Sequence, residues 1–268
     1  MPHPLSSADL LLAARLESAE AANLMRMVQA AGVDPHTLAF EPFAGGVAVF
    51  AGAGSPMTHA VGIGMRGRVS EEELERMEAF FRQRGSGCVI DLCPMADPSV
   101  IAFVQARNYR AVELNNVMVR RIDPDEVIEP VAGVRAAAEG ELPHWSRLVS
   151  EGFSEYMPVT EQMQGLVSAM CKGAHCWFAG EPEPVGGASM TVHERVALLS
   201  GDAVLTAARG RGWQAALIRE RLAAAQRLDC NLACAAVQPG SGSHRNYERA
   251  GFQLMYMRVN VAREFEGL

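Results

Sequence analysis

The stretch VALLSGDAVLTAARGRGWQAALIRERLAAAQRL, residues 196–228, decides how this chain is read. Its apolar opening, VALLSGDAVL, reads as a strand, and 212–228 reads as a helix. Between them Arg209-Gly210-Arg211-Gly212 makes a strand-to-helix loop. Glycines there let consecutive backbone N–H groups converge on one point. The helix N-terminus behind them adds free amides and the positive end of its dipole. Arg209 and Arg211 add charge-assisted donors suited to phosphate oxygens. Such a loop can hold a pyrophosphate, although RGRG alone is equally a plain turn with two solvated arginines. It is not a dinucleotide fingerprint, because Ala215 stands where G-x-G-x-x-G needs its last glycine, and it lacks the G-K-[ST] of a P-loop.

Outward from this stretch, 141–153 and 161–173 read as helices. CWFAGE and PVGGASMTV read as strands, with turns at 181–184 and 193–195. Downstream come the strand NLACAAV, a short helix over 244–250 and the strand FQLMYMRVNV. The first half runs in the same order. A helix over 7–31 carries Leu10, Leu11, Ala14, Leu24 and Met27 at helical spacing. Strands follow at 47–53 and 60–65, around a turn at 54–56. Next is the helix SEEELERMEAFFRQRG, with Ser70 as N-cap and Glu73 placed for a capping box. CVIDLCP reads as a strand, 99–109 as a helix and 111–122 as a strand. Prolines and acids in RIDPDEVIEPV interrupt the apolar periodicity near 121–131, where the halves join.

The loop, its helix, the next strand and then Tyr247-Glu248-Arg249-Ala250-Gly251-Phe252 resemble the GNAT superfamily of acyl-CoA-dependent N-acyltransferases. That family carries an R/Q-x-x-G-x-G/A loop, matched here by Arg209 and Gly212, with Gln214 in place of the usual small residue. Its Y-E-x-x-G-F motif is matched throughout. The resemblance covers about 120 residues of the second half and reaches the first only as a degenerate pattern. It implies an α/β (α+β) fold of two GNAT-like units, each a mixed, mainly antiparallel central sheet flanked by helices. The expected division is 1–125, without a CoA loop, and 130–268, the N-acetyltransferase domain. In the first half the corresponding place reads Gly64-Met65-Arg66-Gly67-Arg68-Val69-Ser70-Glu71-Glu72-Glu73. Three carboxylates in a first helical turn already satisfy the dipole and would repel a pyrophosphate.

The resemblance further implies acetyl-CoA as co-substrate, an amine of a small molecule or peptide as acceptor, and direct transfer. The expected cofactor-binding residues are Val204, Leu205, Thr206, Arg209, Gly210, Arg211, Gly212, Trp213, Gln214 and Ser243. Ser241 and Ser243 are equally suited to capping the short helix. Tyr247 falls on the family's tyrosine position for protonating the departing thiolate, with packing as its alternative role. Asp202, on the key strand, is the expected base, in competition with Glu151, Glu155 and loss of the proton straight to water. His193 and Glu194 read as solvated turn residues. A CoA-binding regulator or scaffold without turnover is the competing reading, and a CoA-independent interaction module the third.

A formal net charge of −7 argues against nucleic acid as the main partner. No apolar run approaches the roughly 20 residues needed to span a bilayer, and the start of the chain reads as an amphipathic helix. The six cysteines, at 88, 93, 171, 176, 230 and 234, form no C-x-x-C pair. They read as buried thiols of a cytoplasmic protein rather than metal ligands, Cys171, His175 and Cys176 included. A homodimer is left open.

Overall fold

Helix α1 covers Ser7–Ala31, the span its apolar spacing predicts. After it come β1 (Ala39–Phe43), β2 (Gly46–Phe50), β3 (His59–Val61), α2 (Glu71–Arg82), β4 (Cys88–Leu92), α3 (Pro98–Ala106) and β5 (Arg110–Arg121). The chain continues with β6 (Val134–Ala136), α4 (Leu142–Gly152), α5 (Glu161–Cys171), β7 (His175–Ala179), β8 (Gly186–His193) and β9 (Val196–Val204). It ends with α6 (Trp213–Arg227), β10 (Leu232–Val237), α7 (Gly242–Arg249) and β11 (Gln253–Arg263). The structure is a computed structural model and describes residues 7–34, 36–129, 131–155, 158–265 and 267. Among these, no helix is long and apolar enough to cross a membrane.

Packing divides the chain into two units, Met1–Val117 with Met255–Leu268, and Met118–Leu254. The first unit orders its strands β1-β2-β3-β4-β11, with β3 and β4 parallel and the other pairs antiparallel. Alternation along β2 sorts the two faces. Val47 and Val49 meet Leu24 and Val28 of α1, while Ala48 and Phe50 share a core with Met77 and Phe81 of α2 and Val100 of α3. The second unit orders its strands β10-β9-β8-β7-β6, with only β10 and β9 parallel. Trp145, Val149 and Val167 of α4 and α5 pack with Phe178 and Ala203 on one face. Leu217, Ile218 and Leu222 of α6 pack with Met190 and Leu199 on the other. Each unit is thus a mixed, mainly antiparallel sheet between helices.

The ends of the two halves depart from the expected division at 125 and 130. Residues 255–268, expected with the second unit, lie with the first, and 118–122 lie with the second. The physical reason is a buried polar cluster. Glu17 of α1 is fully buried, and its Oε1 accepts hydrogen bonds from the Tyr256 hydroxyl (2.5 Å) and from Arg258 Nη2 (2.8 Å). Arg258 Nη1 also lies 3.5 Å from Asp91 on β4. A carboxylate and a guanidinium of this burial need each other, so β11 docks where Glu17 is. Reciprocally, Met118 and Ile122 fill the core of the second unit, and the Ile122 amide donates to the Asn231 carbonyl (3.1 Å).

Helix α2 starts as read, with the Ser70 hydroxyl accepting from the Glu73 amide (3.2 Å). The reciprocal half of the capping box is not made. Glu73 instead accepts from the Ala44 amide (2.6 Å) and ties the helix start to the β1–β2 turn. The short strands β1 and β6 were not foreseen.

Candidate functional site

The site grows from an irregularity in β9. Gly187 pairs with Ala203 and Ser189 with Ser200, so two residues, Gly201 and Asp202, stand opposite Ala188. This is a β-bulge, with Gly201 in the left-handed region (φ 66°). A bulge bends its strand, and β9 pairs with β10 only from Val196 to Leu198, although it runs on to Val204. Beyond Leu198 and Cys234 the two strands are no longer paired, and this break in the ladder forms the wedge. The Leu205 amide is taken by the Val185 carbonyl (2.9 Å), so alternation turns the backbone of Val204 toward the wedge.

At the mouth of the wedge, Gly210 and Gly212 both have positive φ (75° and 84°), and a side chain on either would meet no atom within 4 Å. Gly212 is the N-cap of α6 and provides no side-chain cap, and no acid lies in the first turn. Among the described residues, the amides of Gly212, Trp213 and Gln214 meet no hydrogen-bond partner. The helix presents bare donors and the positive end of its dipole to open space.

The two loop arginines are not equivalent. Arg209 donates from Nε to the Val204 carbonyl (3.0 Å) and from Nη2 to the Gly152 carbonyl (3.2 Å), and it pairs with Glu155. Thr206 Oγ1 donates to the same carboxylate (2.7 Å). These two partners, Thr206 first, hold the Glu155 carboxyl below the usual carboxylate range. Arg209 therefore pins the loop to the end of α4, while Arg211 is exposed beside the bare amides. Gln214 bridges α6 to α7, donating to Ser243 Oγ (2.9 Å) and accepting from Asn246 Nδ2 (2.7 Å). Ser241, not Ser243, caps α7, its hydroxyl accepting from the His244 amide (3.0 Å). The Trp213 ring lies against Gly133 and the second unit's core.

Asp202 and Tyr247, read separately from sequence, are in contact, and the Tyr247 hydroxyl donates to Asp202 Oδ2 (2.8 Å). Sequence reading missed the residue that joins them. Arg221 of α6 is fully buried and pairs with Asp202. It also donates from Nη1 to the carbonyls of Ser189 (3.0 Å) and Ser200 (3.3 Å). Burial, and then the Asp202 charge, push the Tyr247 phenol well above its ordinary pKa. A signal for Arg221 existed: it sits four residues after Leu217 and three after Ile218, on the buried face of α6. Of the other candidate bases, Glu151 is exposed on α4, and Glu194 lies in the β8–β9 turn after His193, which ends β8. All six cysteines are buried thiols outside any disulfide. The described residues contain no group of three His, Cys, Asp or Glu placed to hold a metal.

The same place in the first unit is closed. Beyond the Val61–Asp91 pair, the Asp97 amide donates to the Gly64 carbonyl (3.0 Å) and bridges β3's extension to the start of α3. A side chain on Gly64 would strike Val100 at 2.6 Å. The N-terminus of α2 is capped by Ser70 and carries Glu71, Glu72 and Glu73.

No protein-family model matches the sequence, and no curated protein matches it. Solved structures do. A GCN5-related N-acetyltransferase from Kribbella flavida superposes with a TM-score of 0.67 at 18% identity, covering 95% of this chain and 96% of that one. A tandem GNAT protein from the clavulanic acid biosynthesis pathway gives 0.60 at 15% identity over 97% and 95%. A GCN5-related N-acetyltransferase from Sphaerobacter thermophilus gives 0.56 at 18% over 72% and 67%. The chain thus has a GNAT fold. The chain as a whole has the tandem form of that fold.

Proposed function

We propose that the second unit binds acetyl-CoA and transfers its acetyl group to an amine of a small molecule or peptide, while the first unit binds no CoA. The observation that carries this reading is the open wedge ending at bare amides in the second unit, against the bridged and acid-capped counterpart in the first. The amides of Gly212, Trp213 and Gln214, with Arg211, suit the oxygens of a pyrophosphate. The Val204 backbone and the wall of the wedge suit an extended amide-bearing arm. Bound there, the thioester supplies the activated acetyl group. Arg209 acts beside them by fixing the loop through Glu155 and Gly152, rather than as a phosphate ligand.

Calorimetric titration with CoA and acetyl-CoA tests the site, with Arg211→Glu as the control variant. Arg211 is exposed and its replacement strains no backbone, so the variant should keep its melting temperature. It should bind CoA at least about tenfold more weakly, because one donor is lost and a carboxylate faces the phosphates. Absence of binding by folded wild-type protein, freed of carried-over CoA, would refute the proposal. A regulator without turnover is the second reading, favoured by the commitment of both Tyr247 and Asp202 to each other. An acceptor screen that follows release of free CoA thiol separates the two.

A further inference from the structure

A bulge, a cofactor helix and a tyrosine meet at one buried guanidinium. Arg221 is anchored on its own helix by Nε donating to the Leu217 carbonyl (3.1 Å). Its Nη1 reaches across both strands at the register shift, to Ser189 on β8 and Ser200 on β9. Nη1 also lies 3.2 Å from Asp202 Oδ2, and Nη2 binds Oδ1. Asp202 is itself one of the two bulged residues, and its Oδ2 accepts the hydrogen bond from the Tyr247 hydroxyl. A planar fork that satisfies two carbonyls and a carboxylate at once fixes all three in one arrangement.

We propose that Arg221 is the positioning residue of the transfer site: it pins the β9 bulge that opens the wedge and, through Asp202, holds the Tyr247 hydroxyl as a donor away from the thiolate. The proposal rests on the acyl-CoA reading of the second unit and specifies how that site is built. Asp202, neutralised by Arg221, is then a link rather than a free base. Tyr247 already spends its only proton on a carboxylate. Giving that proton to a thiolate would leave a buried phenolate against the Asp202 charge. Burial and Asp202 oppose this in the same direction, as the raised phenol pKa reflects. The departing thiolate draws its proton from solvent through the open mouth of the wedge, and the amine loses its own proton to water.

The test uses the full chain. Arg221→Met alone strands a buried carboxylate, so the informative variant is the pair Arg221→Met with Asp202→Leu, which removes both charges. It should unfold cooperatively near the wild-type temperature yet bind CoA at least about tenfold more weakly, with the loss of kcat/KM carried mainly by KM. If the pair fails to fold, Arg221→Lys takes its place: it keeps the charge but lacks the planar fork, and the same weakened binding is expected. A folded variant of either kind with wild-type CoA affinity would overturn the pin. For Tyr247→Phe, the pH dependence of kcat should match that of the wild type, with a loss well short of the roughly 100-fold that removal of a general acid costs. An alkaline fall in the wild-type kcat that the variant lacks, together with a loss of that size, would make Tyr247 the acid and overturn its assignment here. Failure of the wild type to bind CoA would instead remove the functional reading beneath the inference, before any variant is compared.

Discussion

Gly201 is held to its identity twice. Its φ of 66° suits a residue without a side chain, and a Cβ there would stand 2.9 Å from the Met170 sulfur and 3.0 Å from Ser189 Oγ. Gly201→Ala should cost about 1–3 kcal/mol, measured as a lower urea midpoint, because the strained backbone and the crowded contact add. The buried thiols make a second test at this scale. Burial pushes Cys88 and Cys93 up to about 12, Cys93 with help from Glu17. Neither is a thiolate at mildly alkaline pH, so both should resist alkylation in the folded protein and react once it is unfolded. Residue types were legible where chemistry and chain position agreed, as at Ser70, the N-cap of α2. Arg221 was missed although its spacing put it on the buried face, because an arginine beside Arg219 and Glu220 reads as solvated until its partner on another strand is known. Nor could the unequal roles of Arg209 and Arg211 be read, since what separates them is the distant Glu155.

Among elements, the two helix starts that follow a parallel strand carry the contrast on which the proposed function rests. Helix α2 is capped by Ser70, and Ser70→Ala should cost about 1 kcal/mol of stability, read by chemical denaturation. Helix α6 has no such cap to lose. The short turn before α4 is fixed by a two-pronged pair, Arg135 to Glu141 (2.7 and 2.8 Å), with Glu141 also accepting from the Ala138 amide (2.9 Å). These partners, Arg135 first, hold the Glu141 carboxyl down at about 2. A carboxyl depressed on folding stabilises above its unfolded value, near 4.5, and loses that contribution as pH falls toward about 2. Glu141→Gln should therefore lower the melting temperature at neutral pH, and the gap should narrow as the solution is acidified. Long elements with clean periodicity, α1 above all, were readable to the residue. Strands β1 and β6 were not, because AFEPF contains Glu41 and Pro42, and VRA is too short to show alternation.

At the scale of the whole molecule, the order of elements along each half was legible, but the destination of the last strand was not. Nothing local in QLMYMRVNVAR says that Arg258 answers a glutamate near the start of the chain. Arg258→Met should destabilise the first unit by about 3–5 kcal/mol, since Glu17 and Asp91 are left buried without their counter-ion. Pairing it with Glu17→Gln should recover part of that loss, which thermal or chemical denaturation of the two variants would show. The exchange also sets an order of assembly during synthesis. Every residue of the second unit leaves the ribosome before Tyr256 and Arg258 do, while α1 to α3 wait with Glu17 unpaired. At ordinary elongation speeds that wait is on the order of ten seconds. The half made first is thus the half finished last, and throughout the interval it offers an unfilled strand edge to whatever chaperone attends the emerging chain.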